Sequence, residues 1–258
     1  MKLAIPDLVS NSYFPAIAAI DLGCFADQGL DVELELIFPV DAAYRALKAG
    51  DVDFVGGTAH AALAAFPGWR GVKLLCAQGQ GMYWFLVMRA DLGAERGDIA
   101  CVKGRCIAAA PWVEMGFRRM LETESIDPAR DRVEIVPVPP APDGGTSFGT
   151  NAAKALEAGL VDGFWANGMG AEVAVRRGVG SVVLDVRRGD GPPGAFDYTL
   201  SAVAATDRLI AETPENAAAA IRAITAAHRA LKADPDRAAA VGRKRLPDLE
   251  AGLITGLI

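Results

Sequence analysis

An eight-residue motif occurs twice, 109 residues apart, and it limits what this chain can fold into more than any other feature. Ala46-Leu47-Lys48-Ala49-Gly50-Asp51-Val52-Asp53 returns as Ala155-Leu156-Glu157-Ala158-Gly159-Leu160-Val161-Asp162, with six of eight positions identical. In each copy a helix stops at a glycine, because Gly50 and Gly159 can take the left-handed conformation that other side chains resist. A strand starts at once, Phe54-Val55-Gly56 in one copy and Gly163-Phe164-Trp165 in the other, and opens into a turn of small residues before a further helix. The offset is far larger than the roughly 20 to 50 residues of solenoid repeats, so the pattern describes two similar α/β lobes, not a stacked array.

The rest of the chain alternates in the same way. Short runs rich in β-branched or aromatic residues predict strands over 2–6, 31–37, 53–56, 72–78, 84–89, 105–110, 133–138, 163–165, 181–186 and 198–204. Helices are expected between them over 13–22, 41–49, 59–65, 113–123, 151–158 and 171–177. Such alternation predicts parallel sheets covered by helices on both faces. Beyond Tyr198 the pattern becomes helical: Thr213-Pro214-Glu215 and Asp234-Pro235 are helix starts, and Leu246-Pro247 opens a third segment. The end, Leu253 to Ile258, is apolar and uncharged, which suggests a natural chain that continues further.

Charge narrows the partners. The 258 residues carry 26 Lys+Arg against 32 Asp+Glu, a formal net charge of −6. The only basic run is Arg243-Lys244-Arg245, so neither duplex nucleic acid nor an anionic membrane surface is expected as a partner. No apolar run approaches the roughly 18 residues of a membrane span, so direct membrane insertion is not expected. Nothing at the start reads as a secretory leader, which as written suggests the cytoplasm, or the periplasm for a chain whose leader has been removed. Cys24, Cys76, Cys101 and Cys106 form no C-x-x-C pair, and with only His60 and His228 beside them no zinc spacing appears. Reduced, buried thiols are the expectation; a Cys101–Cys106 disulfide would need a turn to bring the two together. No Gly-rich phosphate loop occurs either, and no cofactor is expected.

Three stretches carry a resemblance. Leu22-Gly23-Cys24-Phe25-Ala26-Asp27-Gln28-Gly29-Leu30-Asp31-Val32 resembles the "G-F-F-x-x-x-G-L-D-V" signature of periplasmic-binding-protein-like type II proteins. Ala46 to Gly56 resembles their "A-L-x-x-G-x-V-D-F" element, and Gly71-Val72-Lys73-Leu74 their "G-x-x-L-K" strand start. The similarity spans residues 3–232 and lies nearest the solute receptors for alkanesulfonates, taurine, nitrate and thiamine-precursor pyrimidines (the NMT1/THI5-like branch). It implies two α/β lobes joined by two crossovers, near 81–88 and 194–200, with a helical C-terminal region. Lobe 1 would comprise 1–84 with 195–258, and lobe 2 would comprise 85–194. It further implies a small ligand closed between the lobes and, for an exported receptor, the membrane subunits of an ABC-type importer as partners. Cytosolic relatives of this fold include enzymes: a pyrimidine-precursor synthase, whose cysteine-rich patch has no counterpart here, and dehydratase and carboxy-lyase types. The enzyme alternative would use His60 as base or ligand anchor with Glu114 or Glu172 as its partner, and a cytosolic ligand sensor would share the same site.

In parallel sheets, ligands bind beyond the carboxyl ends of the strands, where helix N-termini present free N–H groups. Five loops qualify. Ser10-Asn11-Ser12-Tyr13 offers Asn11 and Tyr13, with its serines suited to capping. Gly57-Thr58-Ala59-His60 offers Thr58 and a His60 that a helix start would keep neutral; His228 instead falls on an apolar helical stripe. Gln78 to Trp84 offers Gln78 and Tyr83 around two glycines. Ala110 to Glu114 offers Trp112 and Glu114, with Pro111 removing one N–H. Trp165 to Glu172 offers Asn167 and Glu172. These loops hold aromatics, amides and two carboxylates but no lysine or arginine, so a neutral or cationic ring-containing ligand is expected over a sulfonate, nitrate or phosphate.

Overall fold

The computed structural model describes residues 1–140 and 147–245; the expected segment at Leu246-Pro247 and the apolar end lie outside the described residues. The strands are β1 Lys2–Ile5, β2 Glu33–Leu36, β3 Phe54–Thr58, β4 Val72–Ala77, β5 Phe85–Arg89, β6 Cys106–Ala109, β7 Glu134–Pro137, β8 Gly163–Ala166, β9 Gly180–Asp185 and β10 Ser201–Thr206. The α-helices are α1 Phe14–Asp21, α2 Val40–Ala49, α3 Ala62–Ala65, α4 Glu114–Thr123, α5 Phe148–Glu157, α6 Gly168–Arg176, α7 Asp207–Glu212, α8 Pro214–Ala233 and α9 Asp236–Arg245. The chain separates into two compact units, Met1–Gly79 together with the chain from Leu200, and Gln80–Thr199.

Each unit is built on one five-stranded sheet. The first has the order β2-β1-β3-β10-β4 and the second β7-β6-β8-β5-β9. The two orders are one pattern, with β1 to β4 matched by β6 to β9 and one extra strand inserted at the same place. The expectation of parallel sheets is corrected here. β10 runs antiparallel to β3 and β4, and β5 antiparallel to β8 and β9, so both sheets are mixed. The reason is connectivity: β5 opens the second unit and β10 re-enters the first, so neither follows the strand-helix-strand crossover that makes neighbours parallel. Each edge neighbour has one extra residue against the inserted strand, Leu75 of β4 between the partners of Val203 and Ala204, and Val183 of β9 between those of Leu86 and Val87.

The repeated motif now has a physical reading. Gly50 and Gly159 both adopt positive φ, 86° and 69°, and end α2 and α5. The aspartate that closes each copy then clamps the start of the next strand. Asp53 N–H donates to the Lys2 carbonyl (3.0 Å) and its carboxylate accepts from Lys2 N–H (2.7 Å). Asp162 makes the same pair with Cys106, at 2.8 and 3.0 Å.

In the first unit Leu3, Ile5, Ile17, Phe25, Phe54, Val203 and Ile224 form the core, with α1 and α8 on one face of the sheet. Asp21 at the end of α1 receives Lys244 (2.8 Å) and Arg245 (2.6 Å) from α9, which fastens that helix down. In the second unit Leu86, Ile107, Phe117, Phe164 and Trp165 are buried, and α5 and α6 touch through Gly149 and Gly170, where a Cβ on Gly170 would lie 2.6 Å from the Gly149 carbonyl oxygen. Among the described residues no helix is long and apolar enough to cross a membrane. All four cysteines are free, but only Cys24 is buried; the other three are half-buried, and burial pushes the Cys76 and Cys101 thiols up to about 11. At that value they carry almost no reactive thiolate at neutral pH.

Candidate functional site

Because β1, β3 and β4 are parallel and β10 opposes them, the ends of the first three and the start of the fourth share one edge of the first sheet. The buried polar side chains of this unit collect there: Asp7, Ser10, Ser12, Thr58, Gln78 and Ser201. Burying polar groups is costly unless each finds a partner. Some do. Asp7 Oδ1 accepts from the N–H groups of Val9 (2.9 Å) and Ser10 (2.5 Å), and Ser10 Oγ donates to Ser12 Oγ (2.8 Å). Tyr13 and Thr58 hydroxyl oxygens are 3.5 Å apart. Gln78 donates its amide N–H to the Ala202 carbonyl at 3.3 Å, yet its Oε1 is fully buried with no hydrogen-bond partner, as is Oδ1 of Asn11. Gly56 makes room for Gln78, since a Cβ there would lie 3.2 Å from its amide nitrogen.

The structure thus brings Tyr13 to Thr58, and places Thr58 and Gln78 on either side of Ser201, which pairs with Thr58 and accepts from Gln78 N–H at 2.9 Å. His60 lies half-buried in the 3-10 turn Ala59–Ala61 just beyond Thr58. Its pKa is lowered by burial, not by a helix dipole, because α3 behind it is a single turn. Two other expectations are corrected. The serines do not cap α1, whose N-cap is Tyr13 with no side-chain bond; the loop is shaped instead by Asp7, which lies outside the five loops. His228 is exposed on α8 instead of packed in its stripe. Asp7 is the most perturbed carboxyl of the edge: burial raises it to about 6 against the two N–H bonds that lower it.

In the second unit the equivalent edge carries the remaining candidates. Tyr83 is half-buried, its ring 6.5 Å from buried Trp84. Trp112 is half-buried with φ 68°, a backbone conformation that a bulky side chain rarely adopts and that clusters at functional sites. Asn167 is buried and caps α6, its Oδ1 accepting from Gly170 N–H at 3.4 Å. Glu114 and Glu172 are each engaged by an arginine one turn along their own helix, Arg118 at 3.3 Å and Arg176 at 2.5 Å. A sixth cluster lies at the end of β9, outside the five loops. There Arg187 grips the buried Asp185 with two bonds of 3.0 Å and lies over the Phe85 ring, while Arg188 reaches the same carboxylate at 3.4 Å. A doublet of arginines next to an aspartate was the available sequence signal. Among the described residues, no cluster of His, Cys, Asp and Glu could hold a metal ion.

Two mixed sheets of one order, each with polar side chains gathered at its carboxyl edge, define the fold of the type II periplasmic binding proteins. The alkanesulfonate-binding protein SsuA from Xanthomonas axonopodis pv. citri, solved with MOPS bound, superposes with a TM-score of 0.75 at 12% identity, covering 100% of this chain and 82% of that one. The periplasmic nitrate-binding protein NrtA from Synechocystis PCC 6803 gives 0.76 at 16% identity, with 98% and 68% covered. DszB in complex with biphenyl-2-sulfinic acid gives 0.60 at 15%, with 98% and 82% covered. Among curated protein sequences none matches. The NMT1/THI5-like family profile matches residues 10–238, and the chain belongs to that family.

Proposed function

We propose that this chain is a non-catalytic solute-binding protein that holds a small, neutral, ring-containing ligand and delivers it to the membrane subunits of an ATP-driven importer. Loops at the carboxyl edge of the first sheet supply its contacts. The observation that carries this reading is the gathering of buried polar side chains at the edge of the first sheet, with the Gln78 side-chain oxygen Oε1 buried and without a hydrogen-bond partner. An orphaned acceptor is expensive to keep and is repaid when a ligand donates to it. Thr58 and Tyr13 offer hydroxyls at the same edge, and Tyr13 a ring face.

The family and the fold support a binder, and SsuA and NrtA are named for the anions they bind. The ligand proposed here differs in charge. The five loops bring no lysine or arginine, and Arg187 and Arg188 at the end of β9 are both directed at Asp185. An anion would meet no unengaged charge-assisted donor there. Isothermal titration of the full chain with pyrimidines, purine-like rings and aliphatic sulfonates tests the reading. Saturable ring binding without turnover is expected; tight sulfonate binding with no ring binding would sink the ligand class, and conversion of a bound compound would sink the non-catalytic role.

A further inference from the structure

The second unit contains a cavity of about 370 Å³ that none of the loop candidates lines. One wall is a face of α4: Gly116, Arg119, Met120 and Thr123, the i, i+3, i+4, i+7 spacing that puts four residues in one stripe. The opposite wall is the segment Pro192 to Tyr198, and Met82 and Trp165 complete it. The two ends of the unit meet here, since Met82 N–H donates to the Phe196 carbonyl (2.8 Å). The Phe196 ring also occupies the space a Cβ on Gly81 would need.

Three features give the cavity a ligand chemistry. Its floor is aromatic and fixed: Trp165 is fully buried, stacked on Phe117 at 5.7 Å and 6.2 Å from Trp84. Its adaptable parts are thioethers, Met82 and Met120, which mould to flat rings and make favourable sulfur–aromatic contacts. Gly116 keeps the space open, because a Cβ there would stand 3.2 Å from the Met82 methyl and 3.6 Å from the Tyr198 ring. The charged groups at the wall, Arg119 and Asp197, are one of each sign, and Arg119 also pairs with Glu122. A neutral occupant therefore suits it better than an ion. An engineered cavity of about 150 Å³ already takes up benzene, so this one has room for a bicyclic ring. We infer that the cavity between α4 and the Pro192–Tyr198 segment is a binding site for a neutral bicyclic aromatic compound, separate from the loop site proposed above.

The six methionines allow a direct test, because only Met82 and Met120 line the cavity. The full chain, carbon-13 labelled at its methionine methyls, is titrated with indole and, separately, with hexanesulfonate. Indole is expected to shift the Met82 and Met120 signals saturably and leave Met1 and Met169 in place, and hexanesulfonate to shift neither pair. Two variants fill the space, Gly116→Leu from within and the exposed Thr123→Trp at the mouth; each is expected to weaken indole binding by about tenfold or more, Gly116→Leu with a lowered melting temperature and Thr123→Trp with one near that of the wild type. The Met82 and Met120 methyls report occupancy of this cavity, and calorimetry with pyrimidines reports the loop site, so a failure of the loop site and a failure of this one read differently. The inference is overturned if indole gives no saturable shift, if it moves methionines elsewhere, if hexanesulfonate takes its place, or if folded Gly116→Leu and Thr123→Trp both bind indole as the wild type does.

Discussion

Replacing Asp7 by asparagine is expected to stabilise the protein at neutral pH and to remove one component of its pH dependence. Asp7 is buried behind β1, with a pKa raised from 3.8 to about 6 by loss of solvent, while its bonds to Val9 and Ser10 N–H oppose the rise. Between these two values the folded chain holds a proton that the unfolded chain has lost. Stability from this group is therefore fully present below pH 4, falls as the pH rises through 6, and is level above that. The gap corresponds to about 3 kcal/mol, at about 1.4 kcal/mol per pH unit. Asparagine keeps an acceptor for both N–H groups and imitates the protonated acid, so Asp7→Asn and wild type should be equally stable near pH 4, with the variant ahead by about 2–3 kcal/mol at pH 7.5. Urea unfolding of both proteins across that range, read as the difference between them, cancels every other titrating group. A difference that stays constant with pH, or a variant that is less stable at pH 7.5 than at pH 4 relative to wild type, would refute the argument.

Gln78→Leu should bind the ring ligand at least about tenfold more weakly while changing the stability of the ligand-free protein by less than about 1 kcal/mol, since it removes both an acceptor without a partner and the amide bond to the Ala202 carbonyl; calorimetry and urea unfolding check the two halves. Thr58→Val, which keeps the shape and removes a hydroxyl, should cost about 1–2 kcal/mol of binding and less than about 1 kcal/mol of stability. At Asp21, burial raises the carboxyl but the Arg245 and Lys244 bonds outweigh it and hold it below its ordinary value. Its stabilisation is thus present above its ordinary value and lost as the pH falls through its lowered one, so Asp21→Ala should destabilise the protein at pH 7 by an amount that shrinks steadily as the pH falls below 3.8. Gly170→Ala should lower the melting temperature, because its methyl meets the Gly149 backbone; about 2 kcal/mol or more is expected, from the size of other overpacking defects.

Much of this fold was legible because it is local. All ten strands lie within the expected segments or one or two residues of them, and Gly50 and Gly159 end their helices as the repeated motif implied. The direction of β5 and β10 was not legible, since strand direction depends on where the chain arrives from and not on the residues of the strand. Burial at the site was hidden for a similar reason. Asp7 follows Pro6 and reads as a surface turn, yet it is buried and accepts from the N–H groups of Val9 and Ser10, which the chain brings back over it. Glu114 and Glu172 looked available because their partners, Arg118 and Arg176, sit one helical turn away, outside the loops that were read. His228 keeps stripe spacing on α8 yet is exposed, because α8 is covered only along the face carrying Ala220, Ala223, Ile224 and Ala227.

The claim that matters most is the chemical class of the ligand. Mass spectrometry of the purified full chain, compared before and after denaturation, identifies any small molecule released in proportion to protein. A neutral ring-containing compound, released at about one per chain and bound again on titration, is the predicted result. Release of an aliphatic sulfonate or another small anion in that proportion would contradict it.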